Sequence, residues 1–253
     1  MKNTIMYAYK NTSAGAILLA KKMGIKKMNH GDSTWRPGPD KVVLNWGSGG
    51  YPYDVKRAGR IINNESAVNR AINKIEAFDT FVRAAAGPRT PEWTLRADVA
   101  KRWLYDGSTV LARTRVEGAR GEGIIVMKNI VDFVDARLYT KYIDKDAEFR
   151  VHVIGGEAVF LQQRIRDPKQ NVKDWHVRSD ENGFIMVNRI TPVPDDIKVQ
   201  SIRAVTSLGL DFGAVDIVMK DERGYVLEVN TAPWLNQEVS DVYAQKLATL
   251  IGD

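Results

Sequence analysis

Residues 210–233, LDFGAVDIVMKDERGYVLEVNTAP, constrain this chain more than any other stretch. Two runs rich in Val, Ile, Leu and Tyr, 213–219 and 225–230, flank the turn composition Asp-Glu-Arg-Gly, so the segment reads as a β-hairpin. Three side chains of metal-binding type, Asp216, Glu228 and Asn230, interrupt these apolar runs. Register decides whether they meet. A three-residue loop Glu222-Arg223-Gly224, with Gly224 left-handed, pairs Asp221 with Tyr225 and sets Asp216 opposite Asn230. Glu228 is then diagonal on the same face. A four-residue loop would send Asp216 to the other face. The glycine-bulge hairpin is the expected form, because it gathers two carboxylates and an amide oxygen within roughly 5–8 Å. Such a hard, all-oxygen set suits Mg²⁺, with Mn²⁺ as the alternative ion and positions left for phosphate oxygens and water. Most strand carboxylates simply face solvent, so the assignment depends on what accompanies the hairpin.

The chain has 253 residues, enough for one large or two modest domains. It has no cysteine, which removes disulfides, thiolate zinc sites and a Cys nucleophile together. No apolar run reaches membrane-spanning length, and the first residues lack a signal-peptide core and cleavage site, so no membrane association and a cytoplasmic location are expected. The formal charge is +6. Lys and Arg are dispersed, with short clusters only at 21–27 and 164–173. That balance is compatible with a nucleic-acid partner, but a basic protein whose active site handles phosphates is the commoner case.

Along the chain, a strand at 4–9, a helix at 13–23 and a strand at 42–45 form a small β/α unit expected to occupy residues 1–62. The loop Gly47-Ser48-Gly49-Gly50 that follows leads into Tyr51-Pro52 and not into a helix, which excludes a dinucleotide fingerprint. Residues 64–85 read as one long helix with Val68, Ile72, Ile75, Phe78, Phe81 and Val82 on one side. Gly87-Pro88 breaks it, 89–93 is extended and 95–105 is a second helix. Strands are then expected at 109–115, 124–128, 138–143, 149–154 and 157–165, with helices at 195–208 and 239–251. The fold class is α+β, with antiparallel sheet carrying the chemistry. A second domain over 63–253 would divide into 63–146 and 147–253.

Three further motifs sit in this frame. Gly118, Gly121 and Gly123 lie between two strands, where bare backbone N–H groups can form an anion-binding nest. Arg113 and Arg115, two apart, would share a face at its base. In YTKYID, a strand that ends and restarts offers backbone groups of Thr140, Lys141, Tyr142 and Ile143 to an adenine edge. Glu148 beyond it is placed for ribose hydroxyls, with Arg150 on the same face. Arg164, Arg166, Lys169, Lys173 and Arg178 surround a polar loop at 167–179 suited to a phosphoryl group or anionic substrate. The three histidines have no metal spacing, and Trp93, Trp103 and Trp175 read as packing residues. There is no GxSxG, Walker A or HExxH nucleophile or metal motif.

Taken in order, these parts resemble the ATP-grasp superfamily. Helix 64–85 with GPRTP resembles its opening motif, VLARTRVEGARGEGIIV its glycine clamp, YTKYIDKDAEFRVHVIGGEAV its adenine hinge, and LDFGAVDIVMKDERGYVLEVNTAPWL its metal hairpin. The last is most similar to RimK-type ligases, and so compact a version also resembles bacteriophage-encoded members. The resemblance implies an ATP-grasp fold with ATP between two subdomains. It also implies ATP and Mg²⁺ as cofactors, and ligation of a small-molecule or peptide carboxylate to an amine through an acyl phosphate. Residue by residue, it implies that Lys74 and Arg113 contact phosphates and that Lys141 to Ile143 bind adenine. Glu148 would take the ribose, Asp216, Glu228 and Asn230 the metal, and Arg164 and Arg178 the γ-phosphate or acyl intermediate. A kinase on the same scaffold and a non-catalytic nucleotide-binding module are the alternatives.

Overall fold

The computed structural model describes residues 3–31, 33–117, 121–188 and 192–252. A parallel sheet comes first, with β1 (Thr4–Ala8), β2 (Lys26–Lys27), β3 (Val42–Trp46) and β4 (Arg60–Ile62) in the order β2-β1-β3-β4. Helices α1 (Ala14–Lys22) and α2 (Tyr53–Lys56) connect its strands. The segments β2, β4 and α2 are too short to display a period, and sequence pattern misses them.

Residues 64–85 are not one helix. They form α3 (Glu65–Ile72) and α4 (Lys74–Arg83), broken at Asn73, whose backbone is extended. The Asn73 side-chain oxygen accepts the N–H groups of Ile75 and Glu76 at 3.1 and 3.3 Å, which caps α4 where α3 stops. The break shifts the helical phase. Val68, Phe78 and Phe81 are buried as expected, whereas Ile72 and Val82 are exposed. It also makes Lys74 the first residue of a helix.

A second, antiparallel sheet follows, with β5 (Trp93–Thr94), β6 (Val110–Arg113), β7 (Ile124–Met127) and β8 (Leu138–Lys141) in the order β5-β8-β6-β7, and α5 (Ala97–Tyr105) packs on it. Because β6 ends at Arg113, the two-residue alternation does not carry to Arg115. Arg113 is buried, while Arg115 is exposed and pairs with Glu122 at 3.4 Å.

The third sheet is antiparallel throughout: β9 (Ala147–Ile154), β10 (Glu157–Arg166), β11 (Phe184–Asn188), β12 (Phe212–Lys220) and β13 (Arg223–Asn230), in the order β11-β10-β9-β12-β13. One face packs Val151, Val215, Ile217, Val226 and Val229 against α3, α4 and α6 (Asp195–Ser207). Helix α7 (Gln237–Ile251) packs Tyr243 and Leu247 into a core with Phe212, Met6, Leu44 and Trp46, so the N-terminal sheet and the end of the chain share one apolar cluster.

The β12–β13 register differs from the expected one. The turn has two residues, Asp221 and Glu222, at φ 48° and 61°, and Lys220 pairs with Arg223. Positive φ at both positions marks the turn that matches strand twist in a two-residue hairpin. Gly224 belongs to β13. It is glycine because a Cβ there would lie 2.8 Å from Ile217 Cδ1. Its N–H also donates to Asp196 under α6 at 2.7 Å. A bulge then intervenes: Ile217 pairs with Val226 but Asp216 with Glu228, which leaves Leu227 as the extra residue. Asp216 therefore faces Glu228 directly, and Asn230 lies opposite Ala214.

Asn63 holds the first sheet to the third. It is fully buried, at φ 59°, and its side chain accepts from the Asp211 and Phe212 N–H groups (2.8 and 3.1 Å) and donates to Phe212 O (2.9 Å). Replacing Asn63 with Ala strands those buried groups and forces a Cβ-bearing residue without local hydrogen bonding into the left-handed region. Asn63→Ala should lower unfolding free energy by about 3–5 kcal/mol in urea titrations. A loss below about 1 kcal/mol would refute this role.

Candidate active site

A cleft of about 690 Å³ is lined by residues of both antiparallel sheets. Every residue that the resemblance assigns to nucleotide or metal lines it, but two of the three clamp glycines are not among its described lining residues. Gly118 lies outside the described residues. Gly123 closes the β6–β7 hairpin instead: its carbonyl accepts from the Thr114 N–H at 2.9 Å, and a Cβ on it would sit 2.8 Å from Thr114 Oγ1. Gly121 does line the cleft, at φ 78°, and a Cβ there would come within 2.6 Å of Val177 Cγ1 on the basic loop.

The acidic end is built by register. β9, β12 and β13 set Arg150, Asp216 and Glu228 in one cross-strand row. Arg150 grips Asp216 with two parallel bonds, Nε to Oδ1 at 2.7 Å and Nη2 to Oδ2 at 2.8 Å. Burial works to raise the Asp216 carboxyl, but Arg150 outweighs it and holds the group below the ordinary range, while Arg150 itself is raised. Lys74 Nζ lies 3.2 Å from Glu228 Oε2, and Asn230 donates to Glu228 Oε1 at 3.4 Å. Among the described residues no group of three acids or histidines is arranged to hold a metal. The oxygen donors available are thus two carboxylates and an amide. That set fits Mg²⁺, which takes few protein carboxylates and completes its shell with phosphate and water.

The cationic wall faces this end. The Nε atoms of Arg113, Arg164 and Arg178 are buried and lack a hydrogen-bond partner among the described residues. Arg164 Nε is 3.0 Å from Glu148 Oε1, yet its N–H is not aligned to bond. Buried donors without acceptors are costly, and three at one cleft make a site that an anion with several oxygens would complete. Burial pushes the Arg113 guanidinium down, against the pull of Glu228.

At the hinge, the Lys141 N–H donates to Glu92 O (2.9 Å) and the Tyr142 N–H to Thr109 O (2.8 Å). The Lys141 ammonium is taken by Glu92 at 2.9 Å and lies over the Trp103 ring. Glu148 is no exposed strand end. It is 6% exposed, and burial raises its carboxyl despite Lys145 and Arg164 nearby.

Of the basic loop only part reaches the cleft. Arg178 and His176 line it, whereas Arg166, Lys169 and Lys173 do not. His152 lies elsewhere, buried between Tyr243 (3.0 Å) and Gln162 (3.1 Å) and pushed by burial down to about 4, hence neutral. Sequence reasoning missed Lys145, which is buried in the cleft with Nζ 2.8 Å from His176 O. The available signal was a lysine three residues before Glu148, set between acids in a turn.

No protein-family model matches the sequence. A probable alpha-L-glutamate ligase of Parasynechococcus marenigrum is 27% identical over 188 residues, covering 69% of this chain and 39% of that protein. The ribosomal protein bS6–L-glutamate ligase of Salmonella paratyphi B is 27% identical over 187 residues, covering 69% of this chain and 60% of that protein. The chain thus spans less than two thirds of the length of these relatives. Among solved structures, the ATP-grasp ligase PsnB complexed with minimal precursor superposes with a TM-score of 0.71 at 13% identity, covering 98% of this chain and 99% of that one. D-alanine–D-alanine ligase from Bacillus anthracis gives 0.69 at 14%, covering 98% and 95%. At such identities the structural likeness shows the fold.

Lys145 yields a pH prediction. Burial is the main cause that brings its ammonium down from 10.5 to about 8; Glu148 and Asp174 oppose the fall, and Arg178 and Arg164 add to it. Between about 8 and 10.5 the folded protein has shed this proton while the unfolded chain still binds it. Stability should therefore rise with pH across that window. The thermal midpoint of the parent relative to Lys145→Met should climb from pH 7.5 to pH 10. A flat difference would show that Lys145 titrates normally.

Proposed function

Starting from a chain that has the ATP-grasp fold and is similar in sequence to alpha-L-glutamate ligases, we propose that it is an ATP-dependent carboxylate–amine ligase. One observation carries the reading. Three buried guanidinium N–H groups without a hydrogen-bond partner among the described residues share a cleft with two carboxylates and an amide, so guanidinium charge and a metal held by those oxygens would converge on one anion. Arg113 feels the charge of Glu228, and Arg164 that of Asp216, which sets the two walls close together.

In this reading the hinge at 140–143 takes the base, although the Lys141 and Tyr142 N–H groups are already bonded to Glu92 and Thr109 and are not free for it, and Glu148 takes the ribose. Lys74, Arg113, Arg164 and Arg178 hold the phosphate chain. Asp216, Glu228 and Asn230 would hold Mg²⁺, which when bound neutralises charge on the transferred phosphoryl group. A substrate carboxylate oxygen attacks the γ-phosphorus in line, the bond to the β-phosphate oxygen breaks, and ADP leaves. An amine then attacks the acyl carbon and phosphate departs. The clamp and the 174–178 segment, which meet at Gly121 and Val177, exclude the water that would otherwise hydrolyse the acyl phosphate. The relatives' names make L-glutamate the first amine to test, with a protein or peptide carboxylate as its partner.

Two outcomes follow. With substrates supplied, ATP should yield ADP and phosphate, and hydroxylamine should trap a hydroxamate in competition with the amine. AMP as product would overturn the mechanism, and a phosphoester would make the protein a kinase. Glu228→Gln should reduce turnover by at least about 100-fold with little change in thermal midpoint, because Glu228 is a charged ligand and not a core residue. Separately, Gly121→Val places a branched side chain at positive φ against Val177. Calorimetry should show AMPPNP·Mg²⁺ binding weakened by about tenfold or more. Parental affinity in that variant would remove the clamp from the nucleotide site.

A further inference from the structure

Lys145 has no role in the chemistry above, yet it is the one buried lysine among the described residues, 9% exposed. It leaves the turn after β8, passes over the Tyr142 ring at 4.9 Å and donates to the main-chain carbonyl of His176 at 2.8 Å. Glu148 is farther off, at 3.8 Å, and already has Arg164 at 3.0 Å. The directed bond of Lys145 is therefore to the carbonyl, 31 residues along the chain.

The other bonds of the segment it grips come from its own loop: the Asn182 side-chain amide donates to the Val177 carbonyl at 2.7 Å, and no bond but that of Lys145 ties it to the hinge among those found in the described residues. Asp174 accepts from the His176 N–H at 2.8 Å and pairs with the ring Nδ1 at 3.0 Å, which orders the turn only within itself. The His176 ring rests near Tyr142, with centroids 5.0 Å apart, and Val177 fits against the bare α-carbon of Gly121. Arg178 comes next, its guanidinium over Phe184 at 5.5 Å and its Nε buried without a partner among the described residues. The carbonyl held by Lys145 is thus two residues from the guanidinium that would meet phosphate. Packing alone does not account for a buried ammonium here, since an apolar side chain of similar length would fill the space without the desolvation penalty.

We infer that Lys145 is a positioning residue that ties the 174–178 segment to the nucleotide hinge through the His176 carbonyl, and thereby fixes Arg178 at the phosphate site. What Arg178 touches rests on the ligase reading; the tether itself does not. One bond then links the end of the cleft that takes the base to the end that takes the phosphates.

The test has two arms. In the free protein, Lys145→Met should speed tryptic cutting after Lys169 and Lys173 by about tenfold while the thermal midpoint stays at or above the parent's. In the second arm, AMPPNP·Mg²⁺ affinity is measured in the parent, Lys145→Met, Arg178→Met and the double variant. If Lys145 acts through Arg178, Lys145→Met weakens binding about tenfold in the parent but less than about threefold in the Arg178→Met background. Unchanged cutting, or losses that multiply independently, would overturn the inference. If the parent itself fails to bind AMPPNP, the ligase reading falls, and the cutting rates alone still decide for or against the tether.

Discussion

One extra residue, Leu227, fixes what the cleft can do. With a two-residue turn and no bulge, Asp216 would pair with Leu227, and Glu228 would turn toward the helices with the valines of β13. The bulge advances the strand by one, so Glu228 meets Asp216 and Asn230 stays on the same face. Val226 and Val229 still reach the apolar layer beneath α6. The same strand thus serves a core and a charged site, and only an insertion in the pairing reconciles the two.

From that pairing a row of polar residues runs across all five strands. Asn188 pairs with Gln162, Gln162 with Arg150, Arg150 with Asp216 and Asp216 with Glu228. A buried charge is tolerable only when paired, and the fork of Arg150 on Asp216 meets that demand inside the sheet. On the opposing wall Arg164 has Glu148 at 3.0 Å as a charge partner, but no such fork closes on it. The buried Nε atoms of Arg113, Arg164 and Arg178 have no hydrogen-bond acceptor among the described residues, unlike the two-bond fork of Arg150 on Asp216.

The N-terminal sheet is bound to this centre. Trp46 stacks on Phe212 with ring centroids 5.5 Å apart, and Asn63 bonds to both sides of the Asp211–Phe212 peptide. Phe212 begins β12, the strand that carries Asp216. Gly47 lies so close to Ala232 that a Cβ would come within 2.6 Å of it. The parallel sheet therefore buttresses the open end of the β12–β13 hairpin, where β12 begins and β13 ends, and Tyr9 and Trp234 meet the cleft from that side.

The sequence by itself determined the kinds of group present and their order: an oxygen-donor hairpin, a glycine-bearing clamp, a hinge and two arginines around a polar loop. It determined the antiparallel character of the sheet, because alternation and turn residues are local signals. Which residues oppose one another was decided only by tertiary structure. Gly224 reads as a turn glycine, yet it is a packing glycine under α6, so the turn moves to Asp221 and Glu222 and the bulge to Leu227. Asn73 reads as helix interior, yet its side chain competes for the donors of the next turn and divides the helix. Lys145 stands between two acids with no local signal of burial, and a carbonyl 31 residues away gives it an internal partner. Each of these depends on a partner distant in sequence or on backbone angles that composition leaves open, and long-range packing is what selects among them.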